Sequence, residues 1–171
     1  MGRASTKENK TQFQLCREKM GLSREKASEL LGWISPERIE KIENEKTLPH
    51  SDEVLAMSEA YKVPRLCNYY CANLCPIGQE YVPEVKVKDL SQIVLEMLSS
   101  LNSVRKKQER LIEITADGEI ASDEVEDFVH IQQELERISL TVETLQLWSE
   151  RMLATEVIDI DAYNAARTSE H

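Results

Sequence analysis

Three cysteines lie four residues apart in the segment Cys67-Asn68-Tyr69-Tyr70-Cys71-Ala72-Asn73-Leu74-Cys75-Pro76. On a helix this spacing aligns Cys67 and Cys71 along one face, while Pro76 disfavours helical geometry at Cys75 and allows it to fold back toward them. With Cys16 as a fourth ligand, the set Cys16, Cys67, Cys71 and Cys75 predicts a thiolate site for a zinc ion or an iron–sulfur cluster. Such a site would make the protein a metal or redox sensor.

The same cysteines have a simpler interpretation as part of a hydrophobic core. Cysteine is among the residues most often buried, and it packs as a small hydrophobe. The two-residue spacing that is usual between zinc ligands is absent from this segment. The sequence therefore favours a helix that buries its cysteines and binds no cofactor, and thiols of this kind are typical of a reducing cytosol.

The charge is distributed unevenly along the chain. Residues 1–80 contain twelve Lys/Arg and twelve Asp/Glu, whereas residues 81–171 contain nine Lys/Arg and nineteen Asp/Glu. This asymmetry predicts two modules with different tasks, a domain over residues 1–78 and an acidic domain over residues 79–171. With 41% hydrophobic but only 5% aromatic residues, the composition is typical of a globular all-α protein.

Capping residues and glycines predict a series of short helices in the first module. A helix over residues 8–20 should end at Gly21, and Ser23 should cap a second helix that Gly32 ends. Ser35 and Pro36 are the preferred cap and first residue of a third helix, whose buried face carries Ile39 and Ile42. Two short helices joined by a tight turn that contains glycine can place the second of them in a DNA major groove.

At the level of individual residues, the segments Gly21–Gly32 and Ser35–Glu43 resemble the Xre and lambda-repressor family of helix-turn-helix domains. The similarity extends over residues 12–70, because Leu48-Pro49-His50-Ser51 resembles the loop before the family's fourth helix. This resemblance implies a five-helix domain that binds double-stranded DNA. The turn Gly32-Trp33-Ile34-Ser35 is one residue longer than is usual in this family. The extra residue affects how the third helix is oriented toward the DNA groove.

The resemblance also implies which residues contact DNA. The base-reading positions fall on Pro36, Glu37, Arg38, Glu40, Lys41 and Asn44. Of these, Arg38, Lys41 and Asn44 are ordinary base readers, whereas a glutamate repels phosphate and accepts hydrogen bonds mainly from cytosine amines. Phosphate contacts are expected from cations on the helix surfaces, Arg17, Lys19, Arg24, Lys26 and Lys46. An N-terminal arm with Arg3, Lys7 and Lys10 could add to them. The alternative is that these cations only make the surface soluble.

The acidic module carries two long amphipathic patterns. The first predicts a helix over residues 87–114 with the series Leu90, Ile93, Met97, Val104, Leu111 and Ile114. The second predicts a helix over residues 122–153 with the series Phe128, Ile131, Leu135, Ile138, Val142, Leu145 and Met152. Because Asp117-Gly118 supplies a turn between them, the two helices should form a long antiparallel hairpin.

Further apolar residues make the apolar face of these two helices wider than one neighbouring helix can cover. A second copy of the chain would cover it, because a dimer presents two reading helices to two DNA half-sites. Packing onto the N-terminal domain or onto residues 157–166 is the alternative.

The sequence therefore predicts a dimeric, sequence-specific DNA-binding transcription regulator. The alternative is an adaptor that uses the same fold to bind protein. Neither a glycine-rich phosphate loop nor a cluster of histidine bases is present, so an enzyme is not expected. No apolar run approaches 18 residues and no signal segment is apparent, which predicts a cytoplasmic protein without a membrane span.

Overall fold

The computed structural model describes residues 9–116 and 118–168, and the secondary structure of these residues is entirely helical. The chain divides into two compact units, one formed by residues 1–84 together with 150–171 and the other by residues 85–149. The predicted domain boundary between residues 78 and 79 stays a prediction. No helix in the described ranges is long and apolar enough to cross a membrane.

The first unit begins with six short helices, α1 to α6. Their bounds are α1 Gln12–Lys19, α2 Arg24–Leu31, α3 Pro36–Glu43, α4 Ser51–Ala60, α5 Arg65–Asn73 and α6 Pro76–Tyr81. The five predicted helices correspond to α1 to α5. A sixth helix, α6, begins at Pro76, after Cys75 leaves helical geometry. The core comprises Phe13, Ala27, Leu31, Ile34, Ile39, Ile42, Val54, Met57, Tyr61 and Leu66.

The first helix is shorter than predicted and buries polar as well as apolar side chains. It begins after Thr11, whose side chain accepts a hydrogen bond from the backbone N–H of Gln14. Phe13, Gln14 and Arg17 are buried on this helix, whereas Leu15 is 43% exposed. The buried face of α1 therefore includes two polar side chains, which an apolar pattern does not reveal.

The remaining predicted caps are confirmed. Ser23 accepts a hydrogen bond from the N–H of Lys26, and Ser35 accepts one from the N–H of Arg38. Gly32 ends α2 with a φ of +77°, a left-handed conformation that side chains with a Cβ adopt at a cost. These caps fix the two ends of the turn that joins α2 to α3.

The second unit contains a helical hairpin. Its first arm is α7, Leu90–Lys106, followed by α8, Gln108–Ile114, and its second arm is α9, Val125–Ala154, which continues into the first unit. A short helix α10, Ile160–Thr168, follows. The predicted hairpin is confirmed, but its first arm is interrupted at Lys107, whose φ of −106° and ψ of 7° depart from helical values. Asp117 of the predicted turn lies outside the described residues.

The hairpin buries a narrower seam than the sequence patterns predict. Its buried residues are Ile93, Ser100, Ile114, Ile131, Thr141 and Thr144, and Val85 is buried in the segment before α7. The hydroxyls of Thr141 and Thr144 donate to backbone carbonyls one turn earlier, which satisfies them inside the seam. Arg110 on α8 pairs with Asp127 on α9, with 2.7 Å between Nε and Oδ2. Leu135 and Val142 were predicted to be buried, but they are 49% and 41% exposed.

Candidate nucleic-acid interface

Helix α3 has one buried face and one exposed polar face. Ile39, Ile42 and Glu43 are buried, and Ile34 anchors the preceding turn with 2% exposure. The side chains that face solvent are those of Glu37, Glu40 and Lys41, and Asn44 is half-buried at the C-terminal end of the helix. The third helix is therefore held by its apolar face and presents a row of polar groups.

A buried ion pair fastens the C-terminal end of α3 to α1. Nε and Nη2 of Arg17 donate to the two carboxylate oxygens of Glu43 at 2.5 and 2.9 Å, and Nη1 donates to the carbonyl of Leu22. Arg24 on α2 also donates from Nε to Glu43, at 2.8 Å. The side chain of Glu43 is 1% exposed and that of Arg17 is 7% exposed. Burial acts to lower the pKa of Arg17, but the hydrogen bond and charge of Glu43 raise it, so the guanidinium stays charged.

A second ion pair fastens the N-terminal half of α3 to α4. Nε and Nη2 of Arg38 donate to the two oxygens of Glu53, each at 2.6 Å. Nη1 and Nη2 of Arg38 also donate to Thr47 and to the carbonyl of Leu48. Glu53 in addition accepts from the backbone N–H of His50, at the start of α4. Arg38 therefore ties α3 to the loop and the helix that follow it.

Comparison with known protein families decides what this arrangement is. The family model described as helix-turn-helix matches residues 14–66. Residues 14–66 are a helix-turn-helix domain. The match confirms the predicted resemblance to the Xre and lambda-repressor type, and domains of this type are DNA-binding modules of regulators. Comparisons with curated proteins and with solved structures gave no match.

The helix-turn-helix domain does not expose all of its predicted DNA contacts. The prediction that Arg17 contacts phosphate is wrong, because its guanidinium is buried against Glu43. The prediction that Arg38 reads a base also needs correction, since its guanidinium nitrogens already donate to Glu53, Thr47 and Leu48. Both arginines position α3.

Other predicted contacts remain on the surface of the helix-turn-helix domain. Lys19, Lys26, Lys41 and Lys46 are exposed, and Arg24 is 29% exposed beside Glu43 and Glu40. Their contacts with DNA stay predictions. In the predicted N-terminal arm, Lys10 pairs with Glu18 at 2.7 Å, while Arg3 and Lys7 lie outside the described residues.

Carboxylates occupy the N-terminal ends of α2 and α3. The pKa of Glu37 lies below its ordinary value because its own backbone N–H and the hydroxyl of Ser35 hydrogen-bond to the carboxylate, and Lys41 adds a favourable charge. The pKa of Glu25 is lowered in the same way by its own N–H and by Ser23. Both helix ends are therefore already supplied with an anion, which weakens them as sites for phosphate.

The structure does not assemble the four cysteines into a metal site. Cys16, Cys67, Cys71 and Cys75 are half-buried free thiols. Over the ranges that the structure describes, no three His, Cys, Asp or Glu side chains are placed to share an ion. Burial, then the neighbouring Cys75 and Cys67, raises the pKa of Cys71. Cys16 and Cys67 pack against the core, and a metal or cluster on the four cysteines stays a prediction.

Sequence reasoning missed Glu43 and Glu53, the two carboxylates that hold α3 in place. Glu43 follows Ile42 and lies one turn after Ile39, on the same buried face of the helix. A buried carboxylate requires a cationic partner, so this spacing was a signal for an internal ion pair. Glu53 carried a weaker signal as the third residue of α4, where an acidic side chain commonly caps the helix.

The pair Arg38–Glu53 predicts a pH-dependent contribution to stability. Burial alone would raise the pKa of Glu53, but hydrogen bonds from Arg38 and from the N–H of His50 hold it below the ordinary value of 4.5. Because the folded pKa is depressed, this contribution is complete above pH 4.5 and is lost as the pH falls through the folded pKa. An Arg38→Met variant should therefore be less stable than wild type by about 1 to 2 kcal/mol at pH 7.

The test is urea unfolding of both proteins at pH 7 and at pH 3. The difference between them should shrink at pH 3, because this lies below the ordinary carboxyl pKa of 4.5 and part of the contribution of the pair is lost there. Lys46→Met, which removes an exposed cation close by, is the control and should be neutral at both pH values. An Arg38→Met effect of equal size at pH 7 and pH 3 would show that the pair contributes through packing alone.

Proposed function

We propose that this protein is a sequence-specific, DNA-binding transcription regulator of the cytoplasm that acts as a dimer. The observation that carries the proposal is the helix-turn-helix domain over residues 14–66, with a third helix fixed at both ends by the pairs Arg17–Glu43 and Arg38–Glu53. A reading helix that is rigid before binding loses little conformational freedom on docking. Lys41 on its exposed side, the half-buried Asn44 at its C-terminal end, and Lys26 on α2 would contact the duplex.

The charge of the domain favours a second candidate. Residues 14–66 contain nine Lys/Arg and ten Asp/Glu, and two of those arginines, Arg17 and Arg38, are engaged inside the domain. A surface without a net positive charge gains little from phosphate contacts. The second candidate is therefore an adaptor that presents the same helices to another protein.

Selection of genomic fragments by the purified full-length chain separates the two candidates. A regulator should enrich a recurring motif with two related half-sites, because a symmetric dimer places two α3 helices on the duplex. A Lys41→Ala variant should lose that enrichment, while Glu59→Gln, on the exposed side of α4, should keep it. Failure of the wild-type chain to enrich any motif would reject the regulator and favour the adaptor.

The apolar surface of α7 supports the dimer. Leu90, Val94, Leu98 and Leu101 follow one another at steps of four, four and three residues and thus share a face of the helix. They are 40 to 51% exposed, and residues 90–104 include a single charged residue, Glu96. A helix that is apolar on more than one side normally has more than one neighbour. We assign this face to contact with a second copy.

A Leu98→Glu substitution should convert the dimer into a monomer. A carboxylate at the centre of the α7 face would be buried without a partner in the dimer but would stay hydrated in the monomer. The expected result is a halved mass by light scattering after gel filtration, with unchanged helical content. Ser99→Glu, at an exposed neighbouring position outside this face, is the matched control, and a dimer that survives Leu98→Glu would place the interface elsewhere.

A further inference from the structure

Only part of the exposed face of α3 is available for new contacts. Arg38 is engaged by Glu53. Glu40 accepts a hydrogen bond from Nδ2 of Asn44 at 3.4 Å and lies 4.0 Å from Nη1 of Arg24. Glu37 and Lys41 are both exposed and are four residues apart, which makes them neighbours on the helix surface. Among the described ion pairs, neither residue appears with a partner.

Glu37 can take part in DNA recognition only as a hydrogen-bond acceptor. The hydroxyl of Ser35 and the backbone N–H of Glu37 itself hold its carboxylate in the ionised form at the start of α3. An ionised carboxylate donates no hydrogen bond and is repelled by phosphate. The groups in the major groove that can satisfy it are the N4 amine of cytosine and the N6 amine of adenine.

The positions of the acceptors favour cytosine over adenine. In an adenine–thymine pair the N6 amine lies between two acceptors, adenine N7 and thymine O4, whose lone pairs would repel a carboxylate. In a cytosine–guanine pair the N4 amine lies at one side, and both acceptors, O6 and N7, belong to guanine. A carboxylate and an ammonium group placed side by side match that edge, one to the cytosine and the other to the guanine.

We propose that Glu37 and Lys41 together specify one C·G base pair in each half-site. Glu37 accepts from cytosine N4, and Lys41 donates to guanine O6 and N7. Guanine or thymine at this position leaves the carboxylate without a donor, and adenine offers its N6 amine only between two acceptors that repel the carboxylate. The pair therefore acts mainly by rejecting wrong bases. The inference rests on the proposed function, because it requires α3 to lie in the major groove.

The test is selection from a random double-stranded DNA library by the full-length chain, in parallel with Glu37→Gln and with the control Glu59→Gln. Wild type and Glu59→Gln should select the same half-site, which includes a fixed C·G pair. Glu37→Gln should change the preference at that position alone, toward adenine, because a glutamine amide both donates to N7 and accepts from N6.

A modified base tests the contact directly. Pyrimidin-2-one lacks the exocyclic amine, and in place of the selected cytosine it should weaken wild-type binding about 5- to 100-fold, while leaving Glu37→Gln little affected. Identical selected sites for wild type and Glu37→Gln would overturn the inference and leave DNA binding intact. Failure of the wild-type chain to retain any DNA would instead reject the proposed function itself.

Discussion

Replacement of Arg17 by methionine is expected to lower the free energy of unfolding of the helix-turn-helix domain by about 3 to 5 kcal/mol. The substitution keeps most of the side-chain volume but removes the guanidinium that donates to both oxygens of Glu43. The carboxylate would then be buried at 1% exposure, with the partly exposed Arg24 as its remaining cation. A buried carboxylate that loses its main cationic partner is among the largest single-residue penalties in proteins.

Hydrogen exchange of the full-length chain measures this loss where it occurs. The backbone amides of Ile39 and Ile42, in the buried face of α3, should exchange about 100-fold faster or more in Arg17→Met. Arg24→Met removes the other cation and is the matched control, with a smaller effect because Arg24 is 29% exposed. If the two variants lose equal stability, the account of a buried pair that anchors α3 is wrong.

Replacement of Gly78 by alanine is expected to disrupt the packing of α6 on α5. A Cβ at this position would lie 2.6 Å from the carbonyl carbon and 2.8 Å from Cα of Cys71, and nearer still to the carbonyl oxygen. These are backbone atoms of α5 and cannot move aside as a side chain could. The expected cost is about 3 kcal/mol or more, beyond the gain in helix propensity that alanine brings.

The loss should be confined to the contact between the two helices. The amides of Gln79 and Val82, which donate within α6 and at its end, should lose protection from hydrogen exchange, and residues 76–84 should become sensitive to protease. Gly32→Ala is the control: an added Cβ there meets nothing within 4 Å, so only the positive φ opposes it, at about 1 kcal/mol. A Gly78→Ala protein as stable as wild type would contradict the close approach of α6 to α5.

Local signals in the sequence were sufficient to predict the helices of the helix-turn-helix domain. Ser23, Gly32 and Ser35 determine where helices begin and end through hydrogen bonds within a few residues. Their effect can therefore be predicted without knowledge of the tertiary structure. The spacing of Ile39 and Ile42 likewise indicated the buried face of α3. The turn from α2 to α3 followed from these residues.

Pairings between distant residues could not be deduced in the same way. Arg17 and Glu43 are 26 residues apart, and Arg38 and Glu53 are 15 apart. Before the partners were known, these arginines had the appearance of ordinary surface cations available to DNA. The hairpin shows the same limit, because Leu135 and Val142 fit a heptad as well as Ile131 does, yet the packing of the two arms buries Ile131 and leaves the others exposed.

The most direct test of the proposed function is a titration of the selected genomic site with the full-length chain at 50 and at 200 mM salt. Contacts from Lys19, Arg24, Lys26 and Lys46 to phosphate would release counterions, so the affinity should fall more than about 100-fold between the two conditions. An unrelated sequence should bind far more weakly at both. A salt-independent affinity, or equal affinity for both sequences, would contradict sequence-specific DNA binding by this domain.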